Sequence, residues 1–249
     1  MKEIQEKKIL EILQAKEYAS VGELSSSLLI SPSTVRRTLE GLENKKLVTR
    51  THGGAKINKD NNVSPSFTFR IHQNSFEKKK MALSAIKLIK NGDIIFLDGS
   101  TSAFYIAEYL NEFKDIRVIT NGIDTLSLLS KNNITAYSTG GQVSSSNPSV
   151  LVGRYAENTI SNFYADIAFF SAQSLSIDGE IYDCFEEEIF LRRAMIKNSK
   201  TKVFLCDNTK VGKTSPFHLC SLKDTDYVAS NTSLPNIKDI ENVKQLYTD

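Results

Sequence analysis

The sequence predicts an α/β protein in two unequal parts. The first is a small N-terminal winged helix-turn-helix domain; the second is a larger α/β domain with a mostly parallel sheet. Three observations predict this. Between residues 9 and 42, apolar positions recur at three- and four-residue spacing with short breaks, the period of helices buried on one side. Residues 47–57, LVTRTHGGAKI, alternate instead and turn at two glycines. From residue 91, short apolar runs alternate with helix-length segments, the pattern of a parallel sheet covered on both faces.

Bulk properties narrow the classes. At 249 residues the chain suits two domains, and its 40% apolar and 24% charged content is ordinary for a globular protein. No uncharged apolar stretch is long enough to cross a membrane. The opening MKEIQEKKIL lacks a signal-peptide apolar core, so the cytoplasm is the expected location. Three widely spaced cysteines form no CxxC pair, and three scattered histidines form no HExxH. No metal, cofactor or disulfide framework is expected. Residues 1–58 hold ten Lys/Arg against seven Asp/Glu, while the rest hold 21 against 22. A basic head on a near-neutral body points to an anionic partner for the head.

In the head, Ile9, Leu10, Ile12 and Leu13 mark the buried face of a first helix. Ser20 lies three residues before Glu23, a capping-box pattern for a second helix with Val21, Leu24 and Leu28 on one side. Ser31-Pro32 reads as the N-cap and first position of a third helix. There Val35, Leu39 and Leu42 face inward. Ser33, Arg37, Glu40 and Asn44 then fall on the opposite side, flanked by Thr34 and Arg36. Small hydroxyls bond phosphates and allow close approach, and arginine bridges two acceptors on guanine or grips the backbone. This is the chemistry of a helix that enters the major groove. Arg50, His52 and Lys56 are placed near the tip of the two-stranded wing. Double-stranded DNA is therefore the expected partner of the head, residues 1–57.

Polar residues with one proline, NKDNNVSPS, open a linker placed at 58–69. The second domain is placed at 70–249. Arg70 and the Glu77-Lys78 pair precede a helix expected through Ile89. Strands are expected at 94–97, 117–120, 135–138, 166–170, 202–206 and 227–229, and further helices near 101–112, 122–132, 151–162, 185–199 and 236–246. Ligands in such sheets sit outside the carboxyl ends of the strands. The residues there are Asp98-Gly99-Ser100-Thr101-Ser102, Thr120-Asn121-Gly122, Gly140-Gly141 and Asp207-Asn208-Thr209-Lys210. Glycines and hydroxyls opening helices leave backbone N–H groups free to cradle a phosphate, and Lys210 adds a positive charge. Neither GxGxxG nor GxxxxGK[ST] occurs, which argues against a dinucleotide or a P-loop nucleotide. Glu186, Glu187 and Glu188 open a helix and complement its dipole. Arg192 follows Glu188 by four residues, a spacing that suits a surface ion pair.

STVRRTLEGLENKKLVTRTHGGA resembles the DeoR family of bacterial transcription regulators, in which a similar helix is followed by a basic wing ending in HGGA. The resemblance continues from about Arg70 to Ser230. IIFLDGSTS, VITNG, STGG, Gly153 to Ala156, Asp166 before AFF, Glu188 with Arg192-Arg193 and Met195-Ile196, and CDNTKVG fall in family order. The resemblance implies a C-terminal domain similar to sugar-phosphate isomerases that senses phosphorylated sugars or related metabolites. It implies Gly99, Ser100, Thr101, Ser102, Asn121, Gly140, Gly141 and Lys210 as phosphate or effector contacts, and Asp98 and Glu188 as partners of sugar hydroxyls.

Two functions compete. One is a transcriptional regulator, more often a repressor in this family, acting as a homodimer or homotetramer on an operon of carbohydrate metabolism. The other is a sugar-phosphate isomerase or deaminase with an appended head, in which Glu188 or Asp98 is the general base and Lys210 the phosphate anchor or electrophile. Fold likeness alone supports the second, and fold does not fix chemistry.

Overall fold

The computed structural model describes residues 2–44, 47–58, 67–234 and 243–247. The chain divides into two compact units, residues 1–72 and 73–249.

In the first unit, α1 (Lys2–Lys16) leads into a short strand, β1 (Tyr18–Ser20), and then α2 (Val21–Leu28). Ser20 caps α2 as expected: its side chain accepts from the Glu23 N–H at 3.1 Å, and the Glu23 carboxylate accepts from the Ser20 N–H at 2.8 Å. This reciprocal box satisfies two donors that a helix start otherwise leaves unpaired. Next comes α3 (Pro32–Asn44), whose Thr34 N–H donates to the Ser31 hydroxyl at 3.2 Å. Val35, Leu39 and Leu42 of α3 join Ile9, Leu10, Leu13 and Leu24 in one apolar core.

A hairpin follows, β2 (Val48–Thr51) and β3 (Gly54–Ile57), with β1 on the far side of β3. The sequence reading missed β1, because three residues carry no readable alternation. The hairpin's two glycines do different work. Gly53 holds φ at +84°, open to glycine and costly for other residues. Gly54 lies against β1, where an added Cβ would sit 2.5 Å from the Ala19 carbonyl oxygen. Lastly, Phe67–His72 forms α4, and Phe69 packs on the head's core. Residues 67–69, placed in the linker by sequence, and 70–72, placed in the second domain, thus belong to the first unit. The rest of the expected linker, from residue 59, lies outside the described residues.

In the second unit, α5 (Ser75–Ala85) precedes β4 (Ile94–Leu97), α6 (Thr101–Ala107), β5 (Arg117–Thr120), α7 (Ile123–Lys131) and β6 (Thr135–Ser138). Two short strands, β7 (Gln142–Val143) and β8 (Leu151–Val152), pair antiparallel before α8 (Arg154–Ser161). The helix expected from 151 starts only at 154, since Gly153 at φ +88° breaks the chain direction. Then come β9 (Ala165–Ser171), β10 (Ser174–Leu175), β11 (Glu180–Asp183), α9 (Glu186–Lys197), β12 (Ser199–Leu205), β13 (Phe217–Ser221) and β14 (Tyr227–Ala229). Of the helix expected over 236–246, residues 236–242 lie outside the described residues. Lys244–Leu246 is a strand, β15, paired parallel to β14.

The main sheet has seven parallel strands in the order β15-β14-β12-β9-β4-β5-β6. The chain runs outward from β4 to β6, then returns to the other side of β4 and runs outward again from β9. The order therefore reverses between β4 and β9. Phe96, Ile119 and Ala168 of the sheet pack against Ile160 of α8 and Leu191 and Met195 of α9. A small antiparallel sheet, β10-β11-β13, covers a second core that includes Phe170, Phe204 and Leu219.

Candidate nucleic-acid interface and effector site

On the head, the helical period of α3 separates two kinds of side chain. Val35, Thr38, Leu39 and Leu42 are buried. Ser33, Arg36, Arg37, Glu40 and Asn44 are exposed, and Thr34 is half-buried. The hydroxyls at the start of α3 are already linked: Ser31 Oγ lies 2.8 Å from Ser33 Oγ and 2.9 Å from Thr34 Oγ1. Thr38, between the arginines and the core, turns inward and donates to the Thr34 carbonyl at 2.9 Å.

In the wing, His52 and Gly53 form the two-residue turn, and His52 is exposed. Arg50 stands opposite Ala55, while Lys56 stands opposite Thr49 and Tyr18. Neighbouring residues of a strand point to opposite faces. Arg50 therefore shares a face with buried Val48 and Ala55, and Lys56 lies on the other face. Only His52 is at the tip; Arg50 and Lys56 flank it on the two sides of the blade. Glu43, near the end of α3, accepts the Arg50 N–H at 3.0 Å and lies 3.8 Å from its guanidinium.

In the second unit, the candidates gather at the carboxyl ends of the strands, around the reversal between β4 and β9. Asp98, just after β4, is 1% exposed. It accepts from the Ser100 N–H at 3.1 Å and the Ser171 N–H at 3.0 Å, the latter bond crossing to β9. Lys210, after β12, donates to the Ser171 hydroxyl at 2.6 Å. Ser100 caps α6 by accepting the Ala103 N–H at 3.1 Å, and Ser100, Thr101 and Ser102 are all buried. Gly99 is required by packing, since a Cβ there would stand 2.2 Å from Val150 Cγ1. Gly122, after β5, comes against Gly99, with its virtual Cβ 3.1 Å from Gly99 Cα. Gly140 and Gly141, after β6, are exposed and hold φ at +62° and +99°. Gly141 packs beside β8 and α8: an added Cβ there would meet the Val152 carbonyl at 2.5 Å and Ala156 Cβ at 3.0 Å, while one at Gly140 would meet open space. The main cluster thus joins Asp98–Ser102, Asn121, Glu188 and Lys210, with the glycine pair set beside it.

Among the described residues, two buried side-chain atoms lack a hydrogen-bond partner: Asn121 Oδ1 and Thr125 Oγ1. Buried polar atoms in folded proteins are nearly always paired, so an orphan acceptor marks a place for a donor. A cavity of about 640 Å³ opens between α7 and the start of β6, and none of the candidate residues lines it.

The centre of the site is a residue that the sequence reading gave a surface role. Arg192 is 5% exposed, and its ion pair with Glu188 is buried, not superficial. Its Nε donates to Asp98 at 2.8 Å, Nη1 to Asp183 at 3.1 Å and Nη2 to Glu188 at 2.7 Å. Burial works against the guanidinium's charge, but Asp183, Glu188 and Asp98 together override it and raise its pKa. Asp183 and Asn147 were not found by sequence reasoning, because each sits in a stretch too short or too polar to carry a periodic signal; Ser171, the last residue of β9, was not named as a contact. The buried thiols Cys206 and Cys220 are pushed up to about 12 by desolvation and stay protonated at neutral pH.

With this geometry in hand, comparison with known proteins places the chain. Residues 73–232 match the family model described as the DeoR C terminal sensor domain, and residues 6–61 match the DeoR-like helix-turn-helix domain. The chain belongs to the DeoR family. Among DeoR-family relatives, the regulator GolR of Listeria innocua is 33% identical over 91% of this chain and 89% of its own. The L-fucose operon activator of Haemophilus influenzae is 33% identical over 92% and 91%. The glycerol-3-phosphate regulon repressor of Escherichia coli is 27% identical over 97% and 93%. A ribose 5-phosphate isomerase from Methanocaldococcus jannaschii shares 19% identity with a TM-score of 0.42 over 55% of each chain, too little to carry an argument. As a DeoR-family member the chain is a DNA-binding transcriptional regulator, and among the described residues no helix is long and apolar enough to cross a membrane.

Proposed function

We propose that this regulator holds operator DNA with α3 in the major groove and the wing beside it, and that a phosphorylated sugar or related metabolite bound to the second unit controls that grip. The carrying observation is the exposed polar face of α3, with Ser33, Arg36, Arg37 and Asn44 on it and an apolar core behind it. Ser33 and Thr34 bond phosphates, Arg36, Arg37 and Asn44 reach bases or backbone, and Arg50, His52 and Lys56 hold the flanking groove.

The effector's phosphate is assigned to the Gly99–Ser102 loop, Asn121, Gly140, Gly141 and Lys210, and its hydroxyls to Asp98 and Glu188. Support comes from the convergence of Asp98, Ser171 and Lys210 where the strand order reverses, the usual position of ligands in such sheets. The orphan Asn121 Oδ1 is an acceptor and calls for a donor, which a hydroxyl of the effector supplies and a phosphate oxygen does not. We assign the target to an operon of carbohydrate metabolism, repressed by a cytoplasmic homodimer or homotetramer. Two of the relatives are named for glycerol 3-phosphate and L-fucose, one a repressor and one an activator. We assign no reaction. Asp98 and Glu188 are both held by Arg192, so their carboxylate oxygens are already engaged.

The test is fluorescence anisotropy on the gene's own upstream DNA at fixed salt, with and without a panel of phosphorylated sugars. Specific binding released by one compound is the expected result. By linkage, operator must then weaken that compound's binding by the same factor. Specific binding that no compound alters sinks the sensing half, and absence of specific binding sinks the whole reading.

A further inference from the structure

The segment from Ser144 to Leu151 lies across the candidate effector loops. Val150 packs on Gly99. The Ile123 N–H donates to the Ser149 carbonyl at 2.9 Å, and the Leu151 N–H to the Asn121 carbonyl at 2.9 Å. The Asn121 side-chain amide donates to the Leu151 carbonyl at 3.0 Å. One segment therefore touches the loops after both β4 and β5.

Its other end is fastened to α9. The Ser144 hydroxyl donates to Glu187. The Asn147 amide donates to Glu188 Oε1 at 2.9 Å, while Glu188 Oε2 accepts from Arg192. Ser144 and Asn147 are 2% and 3% exposed, which is unusual for a polar stretch reading SSSNPS. The Glu188 carboxylate is thus a pivot. One oxygen holds the covering segment, and the other is fixed by the guanidinium that also fixes Asp98.

We propose that residues 144–151 are a latched cover over the effector loops, and that Arg192 is the positioning residue of the latch. What lies beneath the cover rests on the effector reading above; the cover itself does not. Arg192 sets the orientation of Glu188, and Glu188 sets the grip on Asn147. Ligand entry then requires the segment to lift from Asn121 and Gly99. Val150 leaves Gly99 while the parallel ladder of β4 and β9 stays intact. Any ligand group that displaces Arg192 from Glu188 loosens the cover, so occupancy and opening are coupled through one side chain.

Amide hydrogen exchange on the full chain tests this without a ligand. The amides of Ser144, Val150 and Leu151 should exchange through a local opening that low urea does not change, while β4 amides exchange only with global unfolding. Asn147→Ala should accelerate exchange at 144–151 about tenfold and leave β4 unchanged, as expected for loss of a hydrogen bond to a charged group. Arg192→Lys keeps the charge and loses the fork, and should accelerate the same amides; a merely structural role would speed β4 equally. Unchanged exchange at 144–151 in Asn147→Ala overturns the proposal. So does wild-type exchange there that follows urea in step with β4. Glycerol 3-phosphate and ribose 5-phosphate are then added as probes. If neither they nor other sugar phosphates change exchange at 144–151 in either direction while the variant effect persists, the cover stands and the effector reading falls.

Discussion

The two candidate surfaces of this protein are built in opposite ways. On α3 the working side chains are exposed, and their backs rest on an apolar core. At the carboxyl ends of β4 and β9 they are buried and bonded to each other, with Arg192 answering three carboxylates at once. A surface that meets a large polyanion can be ready beforehand, since the partner brings its own charge. A site for a small molecule must first keep its own charges satisfied without one. The difference predicts that substitutions on α3 change binding and leave folding alone, while substitutions at the sheet change folding first.

The largest effect is expected at Arg192. Arg192→Met leaves Asp98, Asp183 and Glu188 buried without their cation and should cost about 3–5 kcal/mol in urea unfolding. A loss below about 1 kcal/mol would mean that the carboxylates rehydrate easily and the contrast is weak. Gly99→Ala comes next. Its Cβ would collide with Val150, and a loss of about 1–3 kcal/mol is expected in the same assay. Arg37→Ala is the counterpart on the head. It should weaken specific DNA binding by about 1–3 kcal/mol and shift unfolding by less than about 0.5 kcal/mol. Equal loss on all DNA sequences would assign Arg37 to phosphate rather than to a base.

Smaller effects test the frame under α3. Ser20→Ala removes the capping box and should cost about 1 kcal/mol in thermal unfolding of the head. The last effect is one of pH. Hydrogen bonds from the Ser20 N–H and hydroxyl hold the Glu23 carboxyl below its usual value. Its contribution is therefore complete above the ordinary carboxylate range and fades as pH falls through the depressed value. The difference in melting temperature between wild type and Glu23→Gln should be present at pH 6 and shrink towards pH 3. A difference that stays constant would show that the carboxylate's charge plays no part.

Much of this was legible in the sequence because it follows from period and from caps. Ser20 with Glu23, Ser31 before Pro32, and Val35 with Leu39 and Leu42 are local patterns, and a helix expresses them wherever it packs. The runs IIFL, RVIT and KVFLC are buried strands by composition alone. What escaped depends on distant partners. Nothing near Arg192 in sequence says that Asp98, 94 residues earlier, receives its Nε. Nothing in SSSNPS says that it folds over another loop instead of lying in solvent. Strands of two or three residues, such as Tyr18–Ser20 and Gln142–Val143, are too short to show alternation and exist because a neighbour offers an edge. The spacing of Glu188 and Arg192 gave the pair correctly but not its depth, since burial is a property of what covers the helix.

The hairpin has a geometric consequence for how a double helix is touched. Arg50 and Lys56 stand on opposite faces of a thin sheet, and His52 is at its leading edge. A duplex lying flat against such a blade meets one cation and misses the other. Arg50 is on the face that rests on the head's core and is held by Glu43, while Lys56 is on the opposite face. In the proposed docking, a blade that enters a groove edge-on would turn Lys56 to one sugar–phosphate wall and keep Arg50 on the side of α3, so the hairpin would act as a spacer as well as a hook.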